Sequence, residues 1–136
     1  MTFSELVKSL PLAFAALFVA ILFIQSGLDK VFNYKGNLEW LTGHFEKSAL
    51  AGTVPMMLPV ITLLELATGI LCAVGLIYFL VAGVSSIIFY GSVAGAASLT
   101  SLFFGQRVAQ DYPGAAILVP YFLLDLVLMY LSMPTR

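Results

Sequence analysis

Charge is what this sequence has least of. Six basic and seven acidic residues serve a chain of 136, and the formal net charge is -1. A nucleic-acid surface needs a basic patch that so few cations cannot build, so nucleic acid is excluded as a partner. Cys72 is the only cysteine, which rules out an intramolecular disulfide, a dithiol relay and a zinc cluster of thiolates. His44 is the only histidine. A b-type haem would normally take two good axial ligands, so the chain brings no redox centre of its own and no metal site. What remains is apolar: 61% of residues are hydrophobic and the mean hydropathy is +1.04. A soluble domain cannot be surfaced from that composition. The chain reads as one integral membrane domain spanning 1–136, with the lipid bilayer as its first partner.

Met1 to Ser9 is a short amphipathic lead-in. The run from Leu10 to Ile24 carries no charge, and it is too long and too closely preceded by Glu5 for a cleaved signal. A first membrane helix is expected over 10–31, with Pro11 in its opening turn and Asn33 to Asn37 as the exit loop. Leu38, Leu41 and Phe45 then recur at helical spacing beside Trp40, predicting an amphipathic helix over 38–48 that lies at the interface. His44, on that helix, reads as a solvated polar residue. Pro55 and Pro59 suit the opening turns of a second span over 56–75.

The uncharged stretch from Leu66 to Gly105 exceeds one span of about 20 residues, so it needs a turn, and Gly75 to Tyr78 is the predicted place. A third span follows over 77–104 and a fourth over 114–133, separated by the polar loop Gly105 to Pro113. The predicted fold is an all-α antiparallel bundle of four transmembrane helices plus the interfacial helix. Gly91 and Gly95, four apart on the third span, mark a face for close helix packing, within the chain first and between copies second. Counting cations by side sets Lys8 and Arg136 against Lys35, Lys47 and Arg107, which weakly favours a cytoplasmic first loop.

Against this background a few polar residues stand out. Gln25, Asp29 and Lys30 fall where the first span ends, and Glu65 and Asp125 fall near the middles of two later ones. With helices rising about 1.5 Å per residue, both acids lie roughly 15 Å deep. Burying an ionised carboxylate there costs a few kcal/mol or more, so such a residue usually faces a partner or cavity. One reading gathers Gln25, Asp29, Lys30, Glu65 and Asp125 into a single polar site, in which one acid is protonated or paired with Lys30. The plain alternative has Lys30 snorkelling to the headgroups beside Asp29, with the acids never meeting.

Ser26-Gly27-Leu28-Asp29-Lys30 resembles the Gly-x-x-Lys signature of DoxX-like membrane proteins, and Glu65-Leu66-Ala67-Thr68-Gly69 resembles their second-span Glu-x-x-x-Gly pattern. The order and spacing of the two make the resemblance specific. The family is similar to the membrane subunit of thiosulfate:quinone oxidoreductase. The resemblance therefore implies a four-helix fold in a bacterial inner membrane and quinone-linked redox work beside other subunits. It carries Lys30 and Glu65 over as family positions. Met1 to Gln25 contains no Arg, a departure that argues against binding of an oxyanion. Three roles follow as expectations: an accessory or quinone-interacting subunit of a respiratory complex, a purely structural subunit, or a small proton or solute conduit. A homo-oligomer or companion subunits are expected with each.

Overall fold

The computed structural model describes residues 2–134 and shows five helices among them: α1 (Phe3–Phe32), α2 (Tyr34–Phe45), α3 (Val54–Ala82), α4 (Ser86–Val108) and α5 (Tyr112–Ser132). Four are long and apolar enough to cross a membrane, and α2 is the short one after the first. Arg136, used in counting cations by side, lies outside the described residues.

Local chemistry explains most of the boundaries. Thr2 and Glu5 form a reciprocal capping box, with the Glu5 amide donating to Thr2 Oγ1 at 3.1 Å and the Thr2 amide to Glu5 Oε2 at 3.2 Å. The supposed lead-in is therefore the first two turns of α1 itself, and Pro11 lies inside the helix rather than at its start. Only Asn33 separates α1 from α2, so the expected exit loop is mostly helix, and α2 begins and ends a few residues before 38–48. Asp111 caps α5, its Oδ1 accepting from the Gly114 amide at 3.0 Å, with Pro113 in the first turn.

The predicted turn at Gly75 to Tyr78 is wrong, and so are the spans ending at 75 and beginning at 77. α3 runs unbroken through these residues to Ala82, and the chain reverses at Gly83, whose φ of 73° is left-handed and suits glycine. Gly75 has a different use. A Cβ there would lie 2.7 Å from the Ile88 amide nitrogen, so its hydrogen side chain lets α4 approach α3. The error came from allotting each span about 20 residues, when α3 has 29.

The main packing runs α1 on α3, α3 on α4 and α4 on α5, with a lighter seam between α1 and α5. Leu12, Val19 and Phe23 of α1, Cys72 and Phe79 of α3, Ile88 and Leu99 of α4 and Leu128 of α5 make the shared core. On the α3–α4 seam, Gly75 meets Ile88, Gly91 meets Cys72 and Gly95 meets Thr68. Steps of three and four on each helix are the register of an antiparallel pair. Gly91 and Gly95 are thus used inside the chain and offer no face to a second copy.

Candidate functional site

The site begins with how closely α1 crosses α3. A Cβ on Gly27 would sit 2.6 Å from Leu66 Cδ2, and one on Gly69 would sit 2.7 Å from the Ile24 backbone nitrogen. Each helix therefore presents its glycine to the other's bulk. One turn beyond Gly27 is Lys30, and one turn before Gly69 is Glu65. The crossing delivers these two side chains to each other. Lys30 Nζ lies 2.9 Å from Glu65 Oε1, an ion pair by distance although its angles are not those of a hydrogen bond. The ammonium also donates to Ser26 Oγ, one turn back on α1, at 3.1 Å.

Burial sets the meaning of that pair. Glu65 is 1% exposed and the Lys30 side chain 16%. Eleven residues of α3 precede Glu65, about 16 Å of helix, so the pair lies well below the α2 side of the bundle. Lys30 reaches inward to the acid rather than out to the headgroups. Breaking such a pair leaves one charge buried and uncompensated, which costs far more than the pair gains.

The other expected residues make no ion pair or hydrogen bond with Lys30 or Glu65 among the described residues. Asp29 is exposed; its backbone carbonyl and its Oδ2 accept from Asn37 Nδ2 at 3.4 Å, tying α1 loosely to α2. Gln25 is also exposed, and with Asp29 it lies within an open, shallow apolar strip along α1 lined by Leu17, Ile21, Leu28 and Phe32, with Ala73 of α3. Asp125 is fully buried, and neither of its carboxyl oxygens has a hydrogen-bond partner among the described residues. It faces the α3–α4 seam, where a Cβ on Gly95 would lie 2.7 Å from Oδ1 and 3.1 Å from Thr68 Cγ2. Lys30 and Glu65 are brought together; Asp125 makes no ion pair with Lys30.

A second polar cluster escaped the reading of the sequence. His44 is not a freely solvated residue. It is half-buried, its Nε2 is 2.7 Å from Gln106 Oε1 and 3.7 Å from Asp111 Oδ2, and its ring stacks on Trp40 with centroids 4.6 Å apart. The cluster joins α2 to the end of α4 and the turn before α5. Its partners are 62 and 67 positions away in the chain, so helical spacing could not reveal it. The available signal was coarser: the one histidine and the one strongly polar loop of the second half lie on the same side.

Four apolar helices around a buried acid–base pair define a small multi-pass membrane protein. Within that class the chain belongs to the DoxX family, which it matches over residues 12–106. The matched stretch holds both Lys30 and Glu65, whereas α5 and Asp125 lie beyond it. Neither the curated proteins nor the solved structures contain a match to this chain.

Proposed function

We propose that the protein is a quinone-interacting subunit of a membrane redox assembly in the bacterial inner membrane. The carrying observation is the shallow apolar strip on α1 that holds Gln25 and Asp29, with Lys30 of the buried Lys30–Glu65 pair on the same stretch of α1. A lipophilic quinone needs an apolar cleft for its tail and a few polar groups for its head. Leu17 and Ile21 would take the tail, and the Gln25 amide would donate to a head carbonyl. Quinone, when bound, supplies two-electron, two-proton chemistry. The chain's own part is to orient the head at Gln25 and to hold an exchangeable proton on the Lys30–Glu65 pair. Electrons come from a companion subunit, since one histidine and one cysteine give this chain no redox centre.

The test is quinone content of protein purified from native membranes, read against phospholipid. Wild type should retain quinone above the level of bulk lipid, Gln25→Leu should lose it, and Lys30→Met/Glu65→Gln, which leaves no buried charge, should keep the fold while changing quinone occupancy. Wild-type protein carrying no more quinone than its surrounding lipid would end this reading. A structural role is the second reading, favoured by the way Lys30 and Glu65 staple α1 to α3. Under it, both variants change stability alone, and companion subunits still co-purify.

A further inference from the structure

We propose that His44 is a proton-operated latch, which on protonation holds the interfacial helix α2 down on the turn between α4 and α5. The geometry is that of a clasp with one titratable tooth. His44 projects from the last turn of α2, and Gln106 and Asp111 meet it from α4 and the turn. Gln106 Nε2 and Asp111 Oδ2 both border the space beside Gly114, each 2.6 Å from where a Cβ would stand, and Gln106 Oε1 faces His44. An amide oxygen only accepts, so with Oε1 facing the ring His44 Nε2 carries the proton of that contact. A second proton on the ring turns it into a cation. That cation would face Asp111 Oδ2 at 3.7 Å and lie flat on the Trp40 indole.

The charged groups around the ring allow this. Glu46 and Lys47 flank the same recess on α2's own side, where their opposite charges offset one another. Val108, Ala109 and Gln110 line its other side and bring no charge. Arg107, the remaining cation nearby, is engaged over the Tyr112 ring at 4.4 Å. Asp111 is then the acid that answers His44 from across the gap.

Seating α2 matters because of what it covers. Leu38, Leu41 and Phe45 pack on Val54 and Leu58 of α3. Leu58, Thr62 and Glu65 form one buried stripe down α3, so α2 closes the water-side approach along the stripe that ends at the Lys30–Glu65 pair. The link to that pair rests on its being the working site, as proposed above; the latch itself does not.

The chain has one tryptophan and one histidine, and they are stacked, so fluorescence reports the latch without labels. With full-length protein in nanodiscs, Trp40 emission should fall by about half between pH 8 and pH 5, as the imidazolium forms and quenches the indole. Over the same range, hydrogen exchange of α2 amides, corrected for its intrinsic pH dependence, should slow about threefold. His44→Gln should abolish both responses. Asp111→Asn keeps the α5 cap, because Asn caps as well as Asp, and so should fold. It should keep the fluorescence response and lose the slowing of α2. Emission that does not change with pH in the wild type, or slowing of α2 that survives in Asp111→Asn, would overturn the latch. Quinone content plays no part in either readout, so failure here and failure of the quinone reading are distinguishable.

Discussion

Glu65 and Asp125 are both carboxyls buried in the apolar middle of a span, yet their surroundings differ in kind. Glu65 has the Lys30 ammonium at 2.9 Å, delivered by a neighbouring helix. Asp125 faces a seam where the nearby hydroxyl already donates elsewhere: Thr68 Oγ1 gives its proton to the Leu64 carbonyl at 2.7 Å. Ser92 and Ser98, buried on either side of Gly95, likewise donate to the backbone of their own helix, at 2.6 and 3.0 Å. What separates the two acids is helix register. The Gly27–Gly69 crossing aligns a base with an acid, and the Gly95 contact admits a carboxyl without supplying a donor. A buried acid in a membrane helix therefore has one meaning in the sequence and two in the fold.

The largest effect that would break this contrast comes from Lys30→Met. It leaves Glu65 charged, buried and alone, and should cost about 3–5 kcal/mol. Reversible unfolding in mixed micelles would measure the loss. Adding Glu65→Gln to that variant should return most of it, since the orphaned charge is then gone; strictly additive losses would show that the two residues do not act as a pair.

Next comes Gly95→Ala. Its Cβ would stand 2.7 Å from Asp125 Oδ1 and 3.1 Å from Thr68, and should cost about 1–3 kcal/mol by overpacking. The double variant Gly95→Ala/Asp125→Ala should recover part of that cost, because the obstructing carboxyl is removed. No recovery would mean that the carboxyl is not what fills the space. Asp125→Asn on its own should stay within about 1 kcal/mol of wild type, since no partner is lost. If it proved as harmful as losing Lys30, Asp125 would have a partner and the contrast would fail. A modest effect is expected from Ser26→Ala. The loss of its 3.1 Å bond from the Lys30 ammonium should cost about 1.5 kcal/mol, the low end for a bond to a charged group, while leaving the ion pair in place.

Much of this was legible in the residues. Apolar runs gave four spans, Trp40 and its neighbours gave the short helix, and the rarity of charge singled out Lys30, Glu65 and Asp125. Depth along each helix was also readable, because rise per residue is constant. Rotation about the helix axis was not, since it is set by which glycine meets which side chain on another helix. Gly27 against Leu66 and Gly69 against Ile24 become meaningful only as a pair. That is why Lys30 could equally be read as snorkelling. Glycine also misled at Gly75, where its lack of a side chain serves close approach; at Gly83 the same residue type serves a reversal. His44 was misjudged because its partners come from the far end of α4.

The helices are unequal in length, and the bilayer has to accommodate the difference. α4 and α5, with 23 and 21 residues, reach about 35 and 32 Å and nearly match a hydrocarbon core of about 30 Å. α1 and α3, with 30 and 29 residues, reach about 45 and 44 Å. α1 can stand its first turns in the headgroups, where Glu5 and Lys8 suit them. α3 has no such end, for Glu65 is its only charged residue and Val81 near its tip is exposed and apolar. It has to lean, or gather thicker lipid around that tip. One flank of the molecule thus asks for a thicker membrane than the other, and the surrounding lipid is strained unevenly around it.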